Sequence, residues 1–250
     1  LLAPADYGCP PAPPLPIGLT GTVEQVKYYV ADGLTWQVNP YLADGTARTP
    51  VTPVAGTPIT SLETSPDGSR TWLLHEGDQA LWVYDGNLNL LGQWTPGSIS
   101  NAIDVAAAGA DLWVLDERTL FLGGDPENPA NYQTDYWMVQ FIGGISRSAG
   151  SAAPDNQWLV SSSITAPRYL VSDGLEFRIL DAGIGKVYRL DLAGNLLGSW
   201  TLDPQNANPR GLARSGVDLF VADRDDLVVY RYAGGMTLNN VTGAATTAFA

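Results

Sequence analysis

A single histidine and a single cysteine restrict the nucleophilic chemistry open to this chain of 250 residues. A Ser-His-Asp or Cys-His set needs an imidazole to take the nucleophile's proton, and only His75 can supply one. It lies in Trp72-Leu73-Leu74-His75-Glu76-Gly77-Asp78, at an expected strand end, where it reads as a turn or edge residue. One histidine also falls short of a typical zinc site.

Carboxylates are the remaining reactive groups. Asp116/Glu117 and Asp223/Asp225/Asp226 are the densest acidic positions, and a carboxylate pair at a set separation is what glycoside hydrolysis requires. Asp-rich turns also supply the hard oxygen ligands that calcium prefers. Asp223, Asp225 and Asp226 are therefore the calcium candidates, although no Asp-x-Asp-x-Asp-Gly loop occurs. A phosphate-cradling glycine loop and a dinucleotide fingerprint are both missing. The sequence thus predicts no catalytic set, and no cofactor other than calcium.

Cys9 has no second cysteine to pair with inside the chain. It opens the run Cys9-Pro10-Pro11-Ala12-Pro13-Pro14-Leu15-Pro16, which predicts an extended polyproline-like arm over residues 1–16, ahead of one folded domain over 17–250. Two readings stand for the thiol: an unreactive side chain, or an intermolecular link. Leu1-Leu2-Ala3-Pro4-Ala5 has the small-residue spacing of a signal-peptide cleavage site. Low lysine content and a nearly cysteine-free chain point the same way, to an exported protein, extracellular or periplasmic and associated with the cell surface.

The 13 Lys and Arg residues face 26 Asp and Glu, a formal charge of −13, which repels polyanions and excludes nucleic acid as the expected partner. No run approaches the roughly 18 apolar residues of a membrane-spanning helix. The 27 Gly, 18 Pro, 8 Trp and 11 Tyr suit short strands joined by many tight turns.

Self-similarity is the strongest signal. Trp82 to Thr95 aligns with Tyr188 to Thr201, so that Trp94 falls on Trp200 at an offset of 106 residues. Gly109-Ala110-Asp111-Leu112-Trp113-Val114-Leu115-Asp116 aligns with Gly216-Val217-Asp218-Leu219-Phe220-Val221-Ala222-Asp223, at an offset of 107. Half-repeats begin at Asp32-Gly33, Asp67-Gly68, Gly109-x-Asp111, Asp173-Gly174 and Gly216-x-Asp218. The intervals from 67 to 109 and from 174 to 216 are about 42 residues, that of a four-stranded propeller blade, and the longer interval from 109 to 173 reads as holding an inserted surface excursion at Gly123 to Tyr132. Each reads as turn, strand, turn and strand, as in Val187-Tyr188-Arg189-Leu190-Asp191 followed by Ala193-Gly194-Asn195 and Leu196-Leu197-Gly198-Ser199-Trp200. The fold expected is an all-β propeller of about five, or six, antiparallel blades. Trp82, Trp94, Trp113, Trp200 and Phe220 are expected to pack between blades, and the repeat-equivalent Asp116 and Asp223 to hold blade turns.

These blocks, with Asn208-Pro209-Arg210-Gly211-Leu212-Ala213 and Val229-Tyr230-Arg231-Tyr232-Ala233-Gly234, resemble the NHL and SMP-30-like propeller repeats of large secreted or surface proteins of bacteria. The resemblance covers residues 59–250. It implies a propeller fold and export, and it reads Gly150 to Ala153 and Gly243 to Ala250 as blade-starting segments.

A noncatalytic module follows, a surface scaffold or a protein- or glycan-binding propeller, or a subunit of an extracellular assembly. The partner-contact candidates lie in the loop from Gly123 to Tyr136, with Gly123, Asp125, Tyr132 and Tyr136 as its markers, and in the arm at residues 10–16. A homo-oligomer by strand pairing at the C-terminus is the other partner expectation. The alternative is a propeller enzyme of lactonase or lyase type, with calcium or another metal in its central channel.

Overall fold

The computed structural model describes residues 28–32, 35, 37–42, 46–53, 58–75 and 79–249. The Pro-rich arm and Cys9 lie outside them. Strands β1 (Tyr28–Asp32) and β2 (Gln37–Tyr41) form a hairpin, onto which Ala47 and Val51 bridge. Blade I follows as β3 (Ile59–Thr64), β4 (Arg70–His75), β5 (Leu81–Asp85) and β6 (Leu90–Pro96). Blade II is β7 (Ala102–Ala108), β8 (Asp111–Phe121) and β9 (Tyr132–Phe141), then, after the short β10 (Ser151–Ala152), β11 (Asn156–Leu159). Blade III comprises β12 (Pro167–Ser172), β13 (Glu176–Asp181), β14 (Lys186–Asp191) and β15 (Leu196–Thr201). Blade IV comprises β16 (Pro209–Ser215), β17 (Asp218–Asp223), β18 (Val228–Tyr232) and β19 (Ala245–Phe249).

The protein is an all-β propeller, and the expected blade count is corrected. Among the described residues there are four complete antiparallel blades and a partial one ahead of them. The Asp32-Gly33 signal does mark a hairpin, the start of that partial blade.

Successive residues along a strand point their side chains to opposite faces, and in blades I to III both faces are apolar because each of these blades packs between two neighbours. Innermost strands adjoin in the order β1, β3, β7, β12 and β16. Four clusters fill the gaps between blades. Val38 meets Ile59, Leu73 and Tyr84, and Trp72, Leu81 and Trp94 meet Val105, Leu112 and Phe141. Trp113, Leu115 and Met138 meet Leu170, Phe177 and Ile179, while Val171, Val187 and Trp200 meet Leu219, Val221 and Tyr232. Trp94, Trp113 and Trp200 thus pack between blades as expected, and Trp82 lies half-buried against the first cluster. Phe220 is buried but belongs to none of the four.

The 106-residue offset has a structural cause: the repeating element is a pair of blades. In blade II the chain leaves β9, crosses to the outer edge of blade I, and pairs β10 in parallel with β6 before returning as β11. In blade IV it leaves β18 and crosses to β15, where Thr201 bridges Thr242, before returning as β19. Each crossing is a strap that ties one blade to its predecessor. Main-chain hydrogen bonds fasten both straps, from Thr95 N to Gly150 O at 2.9 Å and from Thr201 N to Val241 O at 2.9 Å.

Gly92 and Gly198 occupy the same bulge under the two straps, with φ of 151° and 153°. A Cβ there would strike the Ser148 carbonyl in the first repeat and the Asn239 side chain in the second. These crossings correct the reading of Gly150 to Ala153 and of the C-terminal segment as blade starts. Ser151–Ala152 is strap, and Ala245–Phe249 is the outermost strand of its own blade. Short outer and inner strands look alike in sequence, and only the crossing distinguishes them.

Candidate functional site

The repeated carboxylates are committed to turns. Ala102, Pro167 and Pro209, at the starts of innermost strands, stand opposite Asp116, Asp181 and Asp223. Asp116 Oδ1 accepts from the backbone N–H groups of Ser100 at 2.9 Å and Asn101 at 2.8 Å. Asp181 Oδ2 accepts from Thr165 N at 2.8 Å and Ala166 N at 3.1 Å. Asp223 Oδ2 accepts from Asn208 N at 2.9 Å. Each carboxylate supplies an acceptor to turn N–H groups that have no strand partner. In blade I the corresponding residue is His75, buried and edge-on to Trp82 with ring centroids 5.5 Å apart.

The calcium candidates are occupied in the same way. Asp223 Oδ1 accepts from Asp225 N at 2.8 Å and from Asp226 N at 3.2 Å, Asp225 accepts from Asn208 Nδ2 at 2.9 Å, and Asp226 accepts from the Tyr230 hydroxyl at 2.7 Å. Among the described residues no three His, Cys, Asp or Glu side chains gather as a metal cluster. Hydrogen bonds from backbone N–H groups hold Asp223 below the usual carboxylate range despite its burial.

A polar cluster that sequence reasoning missed lies on the axis, where the four innermost strands converge. Asp104 on β7 is buried; Ser61 on β3 donates to its Oδ1, Val105 N donates to the same oxygen at 2.9 Å, and Leu170 N on β12 donates to Oδ2 at 2.5 Å. Burial outweighs these three hydrogen bonds and raises the Asp104 carboxyl to about 7. Glu63, two residues along β3 from Ser61, is raised by burial to about 8, opposed by the Ala107 N–H at 3.2 Å and the charge of Arg214 on β16. Tyr169 on β12 completes the group beside Arg210, and burial raises its phenol. Two carboxyls that keep their protons near neutral pH can act as general acids there. The sequence did hold one signal, a lone Asp104 within the apolar run Ile103-Asp104-Val105-Ala106-Ala107-Ala108.

The partner candidates lie on the β8–β9 hairpin, which pairs as far out as Phe121 opposite Tyr132. Strands β8 and β9 have 11 and 10 residues, against 6 and 5 in β17 and β18, so blade II carries an arm that blade IV lacks. Gly123, Asp125 and Tyr132 are at its exposed tip. Tyr132 donates to Pro126 O at 3.0 Å and stacks, tilted, on Phe121 at 5.1 Å. Tyr136 sits instead at the base, half-buried, donating to Glu117 at 3.3 Å. Leu120, Phe121 and Leu122 are 58%, 45% and 58% exposed, Leu120 and Leu122 on one face of the hairpin and Phe121 with Tyr132 on the other, and the hairpin also carries the acidic Asp125, Glu127 and Asp135.

No protein-family model and no curated protein matches the chain. Solved structures with a similar fold include virginiamycin B lyase from Staphylococcus aureus, at 12% identity and a TM-score of 0.48 over 82% of this chain and 76% of that one. A catalytically inactive form of that lyase with quinupristin aligns at 13% identity and 0.48, over 88% and 79%. A protein of unknown function from Bacteroides caccae aligns at 10% identity and 0.39, over 78% and 64%.

Proposed function

We propose that this chain is a noncatalytic, exported binding propeller that engages a protein partner through the arm of blade II. The observation that carries the reading is that Leu120, Phe121 and Leu122 are all exposed on a paired hairpin rather than buried between blades, with Phe121 beside Tyr132 on one face and Leu120 and Leu122 on the other. Contiguous exposed apolar side chains mark interaction surfaces, and the acidic flank suits a partner whose apolar groove is rimmed by basic residues. The likeness to repeats of secreted bacterial surface proteins supports placement outside the cytoplasm. The test is a photo-crosslinking side chain at position 121, compared with one at position 227 on the short turn of blade IV, in the cells that make the protein. A discrete adduct from 121 and none from 227 is the expected result. Equal adducts, or none from 121, would overturn it.

A second reading, acid–base catalysis of lactonase or lyase type in the channel, is favoured by the raised Asp104 and Glu63 carboxyls. It requires turnover of a lactone or ester that Asp104→Asn abolishes without loss of fold. An unchanged rate in that variant would dismiss it.

A further inference from the structure

The hydrogen-bonding pattern of the arm leaves one strand edge open. Leu122 N donates to Asn131 O at 2.7 Å, and the register carries that bonded pairing inward to Leu120 opposite Gln133 and Arg118 opposite Asp135. In an antiparallel ladder the residues between bonded pairs turn their N–H and C=O groups to the other edge. Glu117, Thr119 and Phe121 are those residues. The Glu117 N–H shows which way they face, since it donates to Asn101 O at 2.9 Å, on the side where β7 lies. Strand β7 begins only at Ala102, opposite Asp116. Beyond it, among the described residues, the N–H and C=O groups of Thr119 and Phe121 have no protein partner.

The other edge of the arm is closed over more of its length, because Tyr132 N donates to Pro129 O and Tyr136 O accepts from Val160 N at 2.8 Å. In blades I and III the fold covers the outer edges with its own chain. One strap pairs β10 with β6, and the other bonds to β15, where Asn240 N donates to Ser199 O at 2.7 Å. Edges left facing solvent are ordinarily blunted by lysine, proline or a bulge. Thr119-Leu120-Phe121-Leu122 has none of these, and its residue types suit an extended backbone.

We infer that this edge takes an additional strand: an extended segment of the protein partner pairs with residues 117–121 and occupies the line along which β7 would continue. The inference rests on the reading of the arm as the partner contact and names how that contact is made. The added strand exchanges hydrogen bonds with the open N–H and C=O groups of Thr119 and Phe121. Its side chains alternate, lying beside Leu120 and Leu122 on one face and beside Phe121 on the other. Those neighbours call for β-branched residues at its centre. Charge sets its ends. Residues 117–136 hold Arg118 against Glu117, Asp125, Glu127 and Asp135, in a chain of net charge −13, so basic residues suit the partner segment and repulsion disfavours a second copy of this chain.

The probe is a synthetic heptapeptide, three valines flanked on each side by threonine and lysine, with blocked ends, and amide hydrogen exchange is followed by NMR. Without peptide, the Thr119 and Phe121 amides are expected to exchange fast and those of Leu120 and Leu122 slowly. Saturating peptide is expected to slow exchange at Thr119 and Phe121 at least about tenfold, with Leu120 unchanged. The same peptide with its valine nitrogens methylated should bind at least about tenfold more weakly. Thr119→Pro removes one outward donor and spares the bonds to β9; it should lose at least about tenfold in peptide affinity, while Thr119→Val keeps that affinity. Where Thr119→Pro also loses slow exchange at Leu120, the methylated peptide decides. No added protection with peptide, equal binding of the methylated peptide, or undiminished affinity in Thr119→Pro with Leu120 still protected would overturn the inference. Protection at Thr119 that rises with protein concentration alone would overturn it in favour of a second copy. A crosslink from position 121 that survives in Thr119→Pro would leave the partner contact standing and overturn strand addition alone.

Discussion

Blades I and II and blades III and IV are built on one frame, yet almost everything that looks functional lies in the first pair. Hairpins, bulges under the straps and turn-holding carboxylates recur in both. Asp85 accepts from Asn87 N and Asn89 N as Asp191 accepts from Ala193 N and Asn195 N. Against this background two sites stand out. The arm replaces a short turn, and Asp104 occupies an innermost strand whose counterpart in blade IV carries Gly211. Duplicated features stabilise the frame; unduplicated ones are where function is to be sought.

If the frame is shared, matched core substitutions must cost the same in both halves. Trp94→Ala and Trp200→Ala each remove a fully buried ring from an interblade cluster and should destabilise by about 4 kcal/mol, measured by chemical denaturation. A difference of more than about 2 kcal/mol between them would break the equivalence.

The straps sharpen the comparison. Gly92→Ala meets a backbone carbonyl, that of Ser148, whereas Gly198→Ala meets the movable Asn239 side chain. Gly92→Ala should therefore cost about 3 kcal/mol and Gly198→Ala about 1 kcal/mol. Equal losses would mean that the strap over blade I yields as easily as a side chain.

These two tests separate what the sequence disclosed from what it concealed. Trp94 and Trp200 lie in hairpins whose turn residues and apolar alternation are local, so their role between blades was readable. So was that of Asp116 and Asp223, because a repeated Asp at a strand end signals a turn. The straps were not readable. Residues 142–155 carry no period, and their pairing with β6 is a contact across the chain that leaves no local pattern. The paired arm was visible only as an insertion, and its start was placed too late, because Arg118 to Phe121 continue an ordinary strand.

A smaller effect comes from pH. The folded-state carboxyl of Asp104 titrates at about 7, above the unfolded value near 4. The folded chain therefore holds that proton more tightly, and the stability it contributes is complete below about pH 4 and lost as pH rises through about 7. Glu63, at about 8, extends the loss upward. Asp104 alone should cost about 2 to 3 kcal/mol of stability between about pH 5 and pH 8, and Asp104→Asn should flatten that part of the slope. A slope unchanged in Asp104→Asn would contradict the buried, protonated acid.

The arm is an addition to a frame that stands without it. Replacing residues 117–136 with the Arg224-Asp225-Asp226-Leu227 turn of blade IV, and following thermal unfolding, tests this most directly. A single cooperative transition within about 4 °C of the parent is expected. A collapse in Tm by more than about 10 °C, or loss of cooperativity, would show that the two halves do not share one frame.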